Sequence, residues 1–441
     1  MSKPFAKTES VCPVCLKKIE AQRTLGDDGF IHLEKSCPEH GCFDTLIWEG
    51  GIASYLNWDR GSAGREFPEG AREIEKGCPY DCGLCAAHER EGCCVLLELT
   101  SRCNLRCPVC FASAGEGEGK DLSLSEIASL YDMLMERGGP YNIQLSGGEP
   151  TVRDDLPEII DMGRSKGFSF FQMNSNGLRI AGQEGYALEL AQAGASCVFL
   201  QFDSLDDEAY RMLRGRPLAE LKLRAIENCG KSGLPVVLTP TVAPGVNEGE
   251  LGEILSFALS KAPAVRGVHF QPISYFGRCS LEPPKIRLTL PKMLRLIEEQ
   301  TGGLMKAADF SGGGAESPYC SFHASYRRLD EGFLKALPRR ENACCCQTSF
   351  EARDFVSRQW GLKPPENPEA ELSETASLDE FLKDAVENTF TVSGMLFQDA
   401  WNLDLERLRR CYICEADLER GMVPFCAYNL TDIDGRALYR P

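Results

Sequence analysis

From residue 95 to about residue 300, short apolar runs alternate with longer segments whose apolar residues recur at helical spacing. Six runs read as strands: VLLELT, YNIQLS, FSFFQMN, CVFLQF, PVVLTP and GVHFQPI. They are rich in β-branched and aromatic side chains, which suit a pleated, buried surface. Between them, LSEIASLYDMLMERGG, LPEIIDMGRSKG, YALELAQAG, LAELKLRAIENCGKSG and ELGEILSFALSKA predict helices by their apolar period. Gly138 and Gly139 close the first of these as a C-cap would. Strands joined through helices lie parallel in one sheet, so residues 95–300 predict an α/β fold of six β/α units. That is a partial (β/α)6 barrel, too short for the full eight-fold form.

The flanks obey other rules. Residues 1–55 hold only a few short strand-like runs bounded by cysteines, too little for a core unless a bound metal stabilises them. A polar, Gly-rich connection then leads to a second cysteine group within residues 56–94. Residues 301–441 are less legible. They contain the stretch FSGGGAESPYCSFHASY, a triple cysteine at 344–346, the Pro-rich acidic link LKPPENPEAELSETAS, and a terminal Cys411-Tyr412-Ile413-Cys414 with Cys426.

Charge narrows the partners. The formal net charge is -17, so no overall basic field exists to hold nucleic acid or an anionic membrane surface. The pairs Arg327-Arg328 and Arg339-Arg340 read as solvated surface or as small local patches. No stretch of 18 apolar residues would span a bilayer, and the first residues lack the apolar core of a secretory signal, so the expected location is cytoplasmic. There, 22 cysteines do not form a disulfide framework, and clustered spacings mean metal.

SRCNLRCPVC comes directly after the first predicted strand and sets Cys103, Cys107 and Cys110 at CxxxCxxC spacing. Three thiolates on a tight loop can hold three irons of a [4Fe-4S] cubane and leave the fourth open to a ligand. A structural zinc site takes four protein ligands from paired knuckles and fits this spacing poorly. The second strand runs into Ser146-Gly147-Gly148-Glu149, where two glycines allow close backbone approach and Glu149 could accept from a ligand ammonium group. Alone, such a stretch is as readily a turn. One strand after the cysteines, both motifs fall at the strand ends where β/α folds bind ligands. Asn174, Asn176, Gln201, Asp203, Thr239, Thr241 and Gln271 also sit at strand ends, either as ligand contacts or as turn residues.

Three further cysteine groups complete the pattern. Cys78, Cys82 and Cys85 repeat the CxxxCxxC spacing before any strand and without their own Gly-Gly-Glu turn. They read as a fully ligated auxiliary [4Fe-4S] cluster with Cys94 as fourth ligand, the alternatives being a zinc knuckle or structural thiols. Cys12, Cys15, Cys37 and His40 form two knuckles of the C-P-x-(C/H) kind, suited to one tetrahedral zinc or iron; Cys42 is the rival to His40. Cys411, Cys414 and Cys426 are candidates for a second auxiliary cluster, drawn from a group that also includes Cys320 and Cys344 to Cys346. Cys197, Cys229 and Cys279 read as structural thiols.

The pairing of RCNLRCPVC with SGGEPT resembles the core of the radical S-adenosylmethionine (radical SAM) superfamily. By that resemblance Cys103, Cys107 and Cys110 hold the cluster, SAM chelates its open iron, and Ser146, Gly147, Gly148 and Glu149 line the methionyl end of SAM. Asn174, Asn176, Gln201, Asp203 and Thr241 would serve the rest of the cofactor or the substrate. The order of parts, with a rubredoxin-like head, CPYDCGLC, the core and an auxiliary Fe-S tail, resembles the branch of an archaeal methanopterin-ring methylase and a tetraether lipid synthase. The resemblance implies C–H activation by a 5'-deoxyadenosyl radical and C–C bond formation, most directly a methylation. Coupling of lipid chains is the first alternative, and an Fe-S electron-transfer or maturation protein the second. The implied partners are a small-molecule or lipid substrate and a reduced ferredoxin- or flavodoxin-type electron donor.

Overall fold

The computed structural model describes residues 3–59, 68, 73–115, 119–281, 287–313, 316–329, 334–338, 348–361 and 388–440. At the N-terminus, β1 (Lys3–Val11), β2 (Lys18–Leu25), β3 (Ile31–Cys37) and β4 (Gly41–Trp48) form an antiparallel sheet in chain order. The β1–β2 and β3–β4 turns carry the two knuckles. Each knuckle is followed by a residue of positive φ, Leu16 at 54° and Gly41 at 81°, which turns the chain back sharply after the second ligand candidate. Helix α1 (Ile52–Trp58) closes this head.

The main sheet starts with β5 (Cys94–Thr100); the short β6 (Val109–Cys110) after it belongs to a separate two-stranded sheet. The main sheet continues through β7 (Asn142–Gly147), β8 (Phe171–Ser175), β9 (Cys197–Gln201), β10 (Val236–Thr239), β11 (Thr241–Val242) and β12 (Val265–Pro272). A further short strand, β13 (Arg278–Cys279), pairs antiparallel with β6. The helices are α2 (Leu124–Glu136), α3 (Leu156–Ser165), α4 (Leu178–Gly182), α5 (Tyr186–Ala193), α6 (Asp207–Arg214), α7 (Ala219–Lys231), α8 (Leu251–Ser260) and α9 (Leu290–Gln300). Local chemistry fixes several of their starts: Ser123 and Glu126 form a capping box on α2, and Asp206 caps α6.

All six strands expected from the apolar pattern are present and adjacent, parallel and in chain order from β5 to β12. Residues beyond 300 add to the same sheet. They supply β14 (Ser321–Arg328), β15 (Leu334–Ala336), β16 (Thr389–Met395), β17 (Ile413–Asp417) and β18 (Gly421–Pro424). β16 runs parallel to β12, and β17 parallel to β5, so the parallel run is eight strands long: β17-β5-β7-β8-β9-β10-β12-β16. Antiparallel β14 and β18 flank it.

The two faces of the sheet differ in chemistry. Leu97, Ile143, Leu145, Met173, Val198 and Leu200 pack into one large core with the inner sides of the helices. Neighbouring positions point the other way and are largely polar. Helix α10 (Ser349–Trp360) crosses where β5 and β7 begin. Its Arg353 donates to the carbonyls of Gly92 (3.1 and 2.8 Å), Gly138 (2.8 Å) and Pro140 (3.2 Å), and lies 4.0 Å from the Tyr141 ring centre. Trp360 packs edge-on against Phe199 of β9.

The head docks on the tail. Arg23 pairs with Asp404, Lys35 donates to the Ala400 carbonyl, and Ser10 to that of Leu403. Tyr55 of α1 stacks on Tyr319 at 4.2 Å. Among the described residues, no helix is long and apolar enough to cross a membrane.

Because Arg353 donates to the buried Gly92 carbonyl and to the exposed-edge carbonyls of Gly138 and Pro140, Arg353→Met is expected to cost about 1 to 2 kcal/mol, mostly from the one buried acceptor left unpaired. The midpoint of anaerobic urea unfolding checks this, and an unchanged midpoint would refute the anchoring role.

Candidate active site

β5 delivers the chain directly into the loop that carries Cys103, Cys107 and Cys110, and the three side chains border one apolar cluster with Leu105, Tyr210 and Leu218. Arg278 clips this loop in place, donating to the carbonyls of Cys107 and Ala114, both at 2.7 Å. Burial, with Glu149 and the other two thiols beside it, pushes the Cys103 thiol up to about 12. A bound cation would reverse that cost.

The Gly-Gly turn after β7 is pressed against this loop. The Gly148 amide donates to the Thr100 carbonyl at 2.7 Å and the Glu149 amide to the Arg102 carbonyl at 3.0 Å. A Cβ on Gly148 would stand 2.1 Å from the Arg102 carbonyl oxygen, and one on Gly147, at φ 110°, 2.4 Å from that of Thr100. Only glycine fits at both positions.

Glu149 is 1% exposed, and its carboxylate already accepts four hydrogen bonds: two from Thr151, one from Ser175 Oγ and one from the Asn176 amide. It ties the β7 turn to the β8 end. Three of the four fall on Oε1, and among the described residues Oε2 accepts from the Asn176 amide alone.

A cavity of about 1550 Å³ opens on these motifs. Cys103, Cys107, Cys110, Ser146, Gly147, Gly148, Glu149, Asn174, Asn176, Gln201, Thr239, Thr241 and Gln271 all line it. It continues down the inner face of the sheet, where Gln144 and Gln172 are register partners, as are His269 and Ser393. Gln172 donates to Asn174 at 2.7 Å, and Ser393 Oγ meets His269 Nδ1 at 2.8 Å. Burial lowers the His269 pKa to about 4, so the ring is neutral at pH 7. Gln144, Gln172, His269 and Glu316 escaped the sequence reading. Gln144 and Gln172 had a signal: each breaks an apolar strand run at the inward-facing phase of the period-two pattern.

Asp203 corrects an expectation. It is fully buried and does not line the cavity. Its carboxylate takes both arms of Arg214 (2.7 and 2.8 Å) and the Thr241 amide (3.0 Å). Arg214 in turn reaches Thr241 Oγ1 at 2.8 Å and the Val109 carbonyl of the cysteine loop at 3.2 Å, and it does line the cavity. Beside this pair, buried Lys222 donates to the Asn176 carbonyl at 2.6 Å and to Gln201 at 3.3 Å. Burial lowers its pKa to about 8.

The remaining cysteines fall into distinct groups. The ligand atoms of Cys12, Cys15, Cys37 and His40 lie within 4.8 Å of one another, while Cys42 is exposed and contacts Ser36. Cys78, Cys82 and Cys85 border a small crevice with His88, Leu408 and Arg409. Cys94, expected as their fourth ligand, is not there. As the first residue of β5 it faces the main cavity, with its thiol 3.8 Å from that of Cys93. Cys426 and Cys411 interact with each other and with Cys320, whereas Cys414 is buried within β17. Arg407 donates to the Cys320 thiol at 3.3 Å. Cys344 to Cys346 and Arg339-Arg340 lie outside the described residues. Cys197 and Cys229 are buried in the core, and Cys279 sits on β13.

A parallel sheet with a three-cysteine loop after one strand and a Gly-Gly-Glu turn after the next defines a class of enzyme that draws on SAM and an iron-sulfur cluster. Residues 97–258 match the family model described as Radical SAM superfamily, residues 4–49 match the HMPTM N-terminal zinc ribbon domain, and the chain belongs to the radical SAM superfamily. It is 33% identical over 475 aligned residues to the 7,8-dihydro-6-hydroxymethylpterin dimethyltransferase of Methanocaldococcus jannaschii, spanning 96% of this chain and 93% of that one. It is also 31% identical over 180 residues to a probable GTP 3',8-cyclase of Methanothermobacter thermautotrophicus, across 41% of this chain and 58% of that one. Among solved structures, Streptococcus suis SuiB bound to S-adenosylmethionine superposes with a TM-score of 0.41 at 15% identity, over 48% of this chain and 47% of that one.

Since the Gly-Gly turn admits no side chain, Gly148→Ala should weaken SAM binding to the reconstituted protein at least tenfold, about 1.4 kcal/mol, in equilibrium dialysis. Gly182→Ala, whose added Cβ meets nothing within 4 Å, should leave binding unchanged. For the head, metal analysis should show one equivalent of zinc or iron lost in Cys12→Ala and retained in Cys42→Ala. Equal loss from both would contradict the ligand set.

Proposed function

We propose that this chain is a radical SAM methylase that forms a C–C bond at an unactivated carbon of a small reduced heterocycle of the pterin type. The observation that supports this most is the continuity of one cavity, from the cysteine loop and Gly-Gly turn to a polar inner sheet face. Similarity along nearly the whole chain to a pterin dimethyltransferase supports the substrate class.

On this reading Cys103, Cys107 and Cys110 hold a [4Fe-4S] cluster. When bound, that group supplies the electron by which SAM is cleaved to methionine and a 5'-deoxyadenosyl radical able to take hydrogen from carbon. The chain's own residues bind and orient. The turn at Ser146 to Gly148 borders the methionyl end of SAM, and Asn176, Gln201 and Thr241 serve its nucleoside. Gln144, Gln172, Asn174, His269 and Gln271 offer donors and acceptors to a flat, polar ring. Trp58 of the head and Phe397 and Phe425 of the tail also line the cavity, which keeps water from a reactive carbon.

Cys12, Cys15, Cys37 and His40 hold a mononuclear zinc or iron that folds the head. Cys78, Cys82 and Cys85 hold one auxiliary cluster. Cys320, Cys411 and Cys426 form the nucleus of a second, with Cys414 close to Cys411 along the chain. A reduced ferredoxin- or flavodoxin-type protein supplies the electrons.

A second reading, a substrate bearing a hydrocarbon chain, draws on the apolar side chains Leu96, Phe199, Ala352, Val356 and Trp360 at the α10 end of the cavity.

The test is anaerobic turnover with SAM, dithionite and deuterated substrate. 5'-Deoxyadenosine should form and should disappear in Cys103→Ala. Deuterium should pass into it from labelled 6-hydroxymethyl-7,8-dihydropterin in the presence of a methylene-pterin. Transfer only from a labelled fatty acid would select the second reading, and no 5'-deoxyadenosine under any condition would defeat both.

A further inference from the structure

Among the described residues, the crevice beside the β1–β2 turn holds three cysteines and no fourth. Cys78, Cys82 and Cys85 all border it, and the Cys82 thiol donates to the Pro79 carbonyl at 3.2 Å. The expected fourth ligand, Cys94, faces the main cavity, and Cys426, although in the same apolar cluster as Cys78 and Cys82, accepts from the Gln398 amide at 3.2 Å. Neither borders this crevice. A cubane has four irons, and three protein ligands leave one coordination position unfilled.

One side chain with ligand chemistry does border the crevice: His88. It lies three residues beyond Cys85, and its amide donates to the Cys85 carbonyl at 2.8 Å, so the same turn that presents the cysteines carries the imidazole. The ring is fixed from the far side. Its Nε2 lies 2.7 Å from the Cys411 carbonyl oxygen. A carbonyl only accepts, so Nε2 carries the proton, and the neutral ring's bare nitrogen is Nδ1. Metal-ligating histidines are held in this way, with the non-ligating N–H donated to a carbonyl or carboxylate that sets tautomer and orientation. The acceptor is itself rigid. Segments 89–93 and 409–412 are laced together by Glu89 N to Arg409 O at 2.7 Å and Cys93 N to Tyr412 O at 2.8 Å. Among the described residues Nδ1 has no hydrogen-bond partner.

We propose that His88, through Nδ1, is the fourth protein ligand of the auxiliary cluster held by Cys78, Cys82 and Cys85. This rests on the reading that those cysteines hold a cluster. With three thiolates and a neutral imidazole the cluster carries one negative charge fewer than an all-cysteine site, and Arg409 beside Cys78 offsets a further part. Both effects favour the reduced form, as histidine ligation does in Rieske centres. The Nε2–H bond to Cys411 also joins this cluster's coordination shell to the second cysteine group.

The full chain, reconstituted anaerobically with Cys103, Cys107 and Cys110 replaced by alanine, tests this without turnover. Its reduced EPR spectrum should show strong coupling to one ligand nitrogen by ENDOR. His88→Cys should keep the iron, lose that coupling and move the cluster's midpoint potential to lower values. Cys94→Ala should change neither iron nor coupling. If Cys78→Ala removes about four irons while no nitrogen coupling exists in the parent, the cluster stands and His88 is not its ligand. If Cys78→Ala leaves iron unchanged, the cluster reading fails and this assignment with it. Loss of that iron in Cys94→Ala would likewise overturn it.

Discussion

The backbone of the Gly147-Gly148 turn lies against the carbonyls of Thr100 and Arg102 so closely that no side chain could stand between them. Two strand ends are thereby locked together: the β5 end that carries three cysteines and the β7 end that carries the turn. In a parallel sheet neighbouring strands already stand about 4.8 Å apart at their ends. A pair of glycines reduces the remaining gap to hydrogen-bond contact. The third strand end inherits its position from this contact, since Glu149 extends it to β8 through Ser175 and the Asn176 amide. The chain thus builds a rim of three consecutive strand ends from main-chain and carboxylate bonds, and each side chain facing the cavity there starts from a fixed backbone.

A second tier of buried charge supports the rim from beneath. Asp203 and Arg214 form a fully satisfied pair, and the spare Arg214 donor holds the Val109 carbonyl inside the cysteine loop. Lys222 does the same for Asn176 and Gln201. Burying such groups is costly, and apolar replacements of similar volume would often stabilise a fold more. Their value here is directional. A guanidinium fork fixes acceptors on two loops at once, which an apolar contact cannot do. That explains why these charges cluster under the strand ends.

The fold's centre was legible in the sequence because each of its strands obeys a local rule. The runs at β5, β7, β8, β9, β10 and β12 are apolar, punctuated and followed by helices, so period and composition suffice. β16 and β17 were not legible. TFTVSGM and ICEAD are short and mixed, and they join the sheet only through long-range pairing with β12 and β5. The cysteine loop and Gly-Gly turn were legible for a different reason: their chemistry is local in sequence. Cys94 shows the opposite case. It is close to Cys85 along the chain, yet strand β5 begins at it and turns its thiol inward, so sequence distance misled. Asp203 failed similarly, because a strand-end carboxylate looks the same from sequence whether it faces a ligand or, as here, an arginine on the next helix.

The head and tail acquire their meaning from the same rim. Among the described residues the sheet path is not closed on itself, its edges being β15 and β18, and a polar face open to water would expose a carbon radical to quenching. Here α1 stacks through Tyr55 on Tyr319, Trp58 donates to the Pro318 carbonyl at 2.8 Å, and the tail aromatics Phe397 and Phe425 pack at 4.4 Å beside Phe111 of the cysteine loop. The head sheet is too small to hold such a position by its own core, and its two knuckles bring four ligand atoms within 4.8 Å of one another. None of those four residues borders the cavity, while Ser54, Asn57 and Trp58 of the head do. Arg23–Asp404 and Lys35–Ala400 are the contacts that hold this head to the tail. Head, tail and strand ends thus share the wall of one cavity, whose rim is built outward from a pair of glycines.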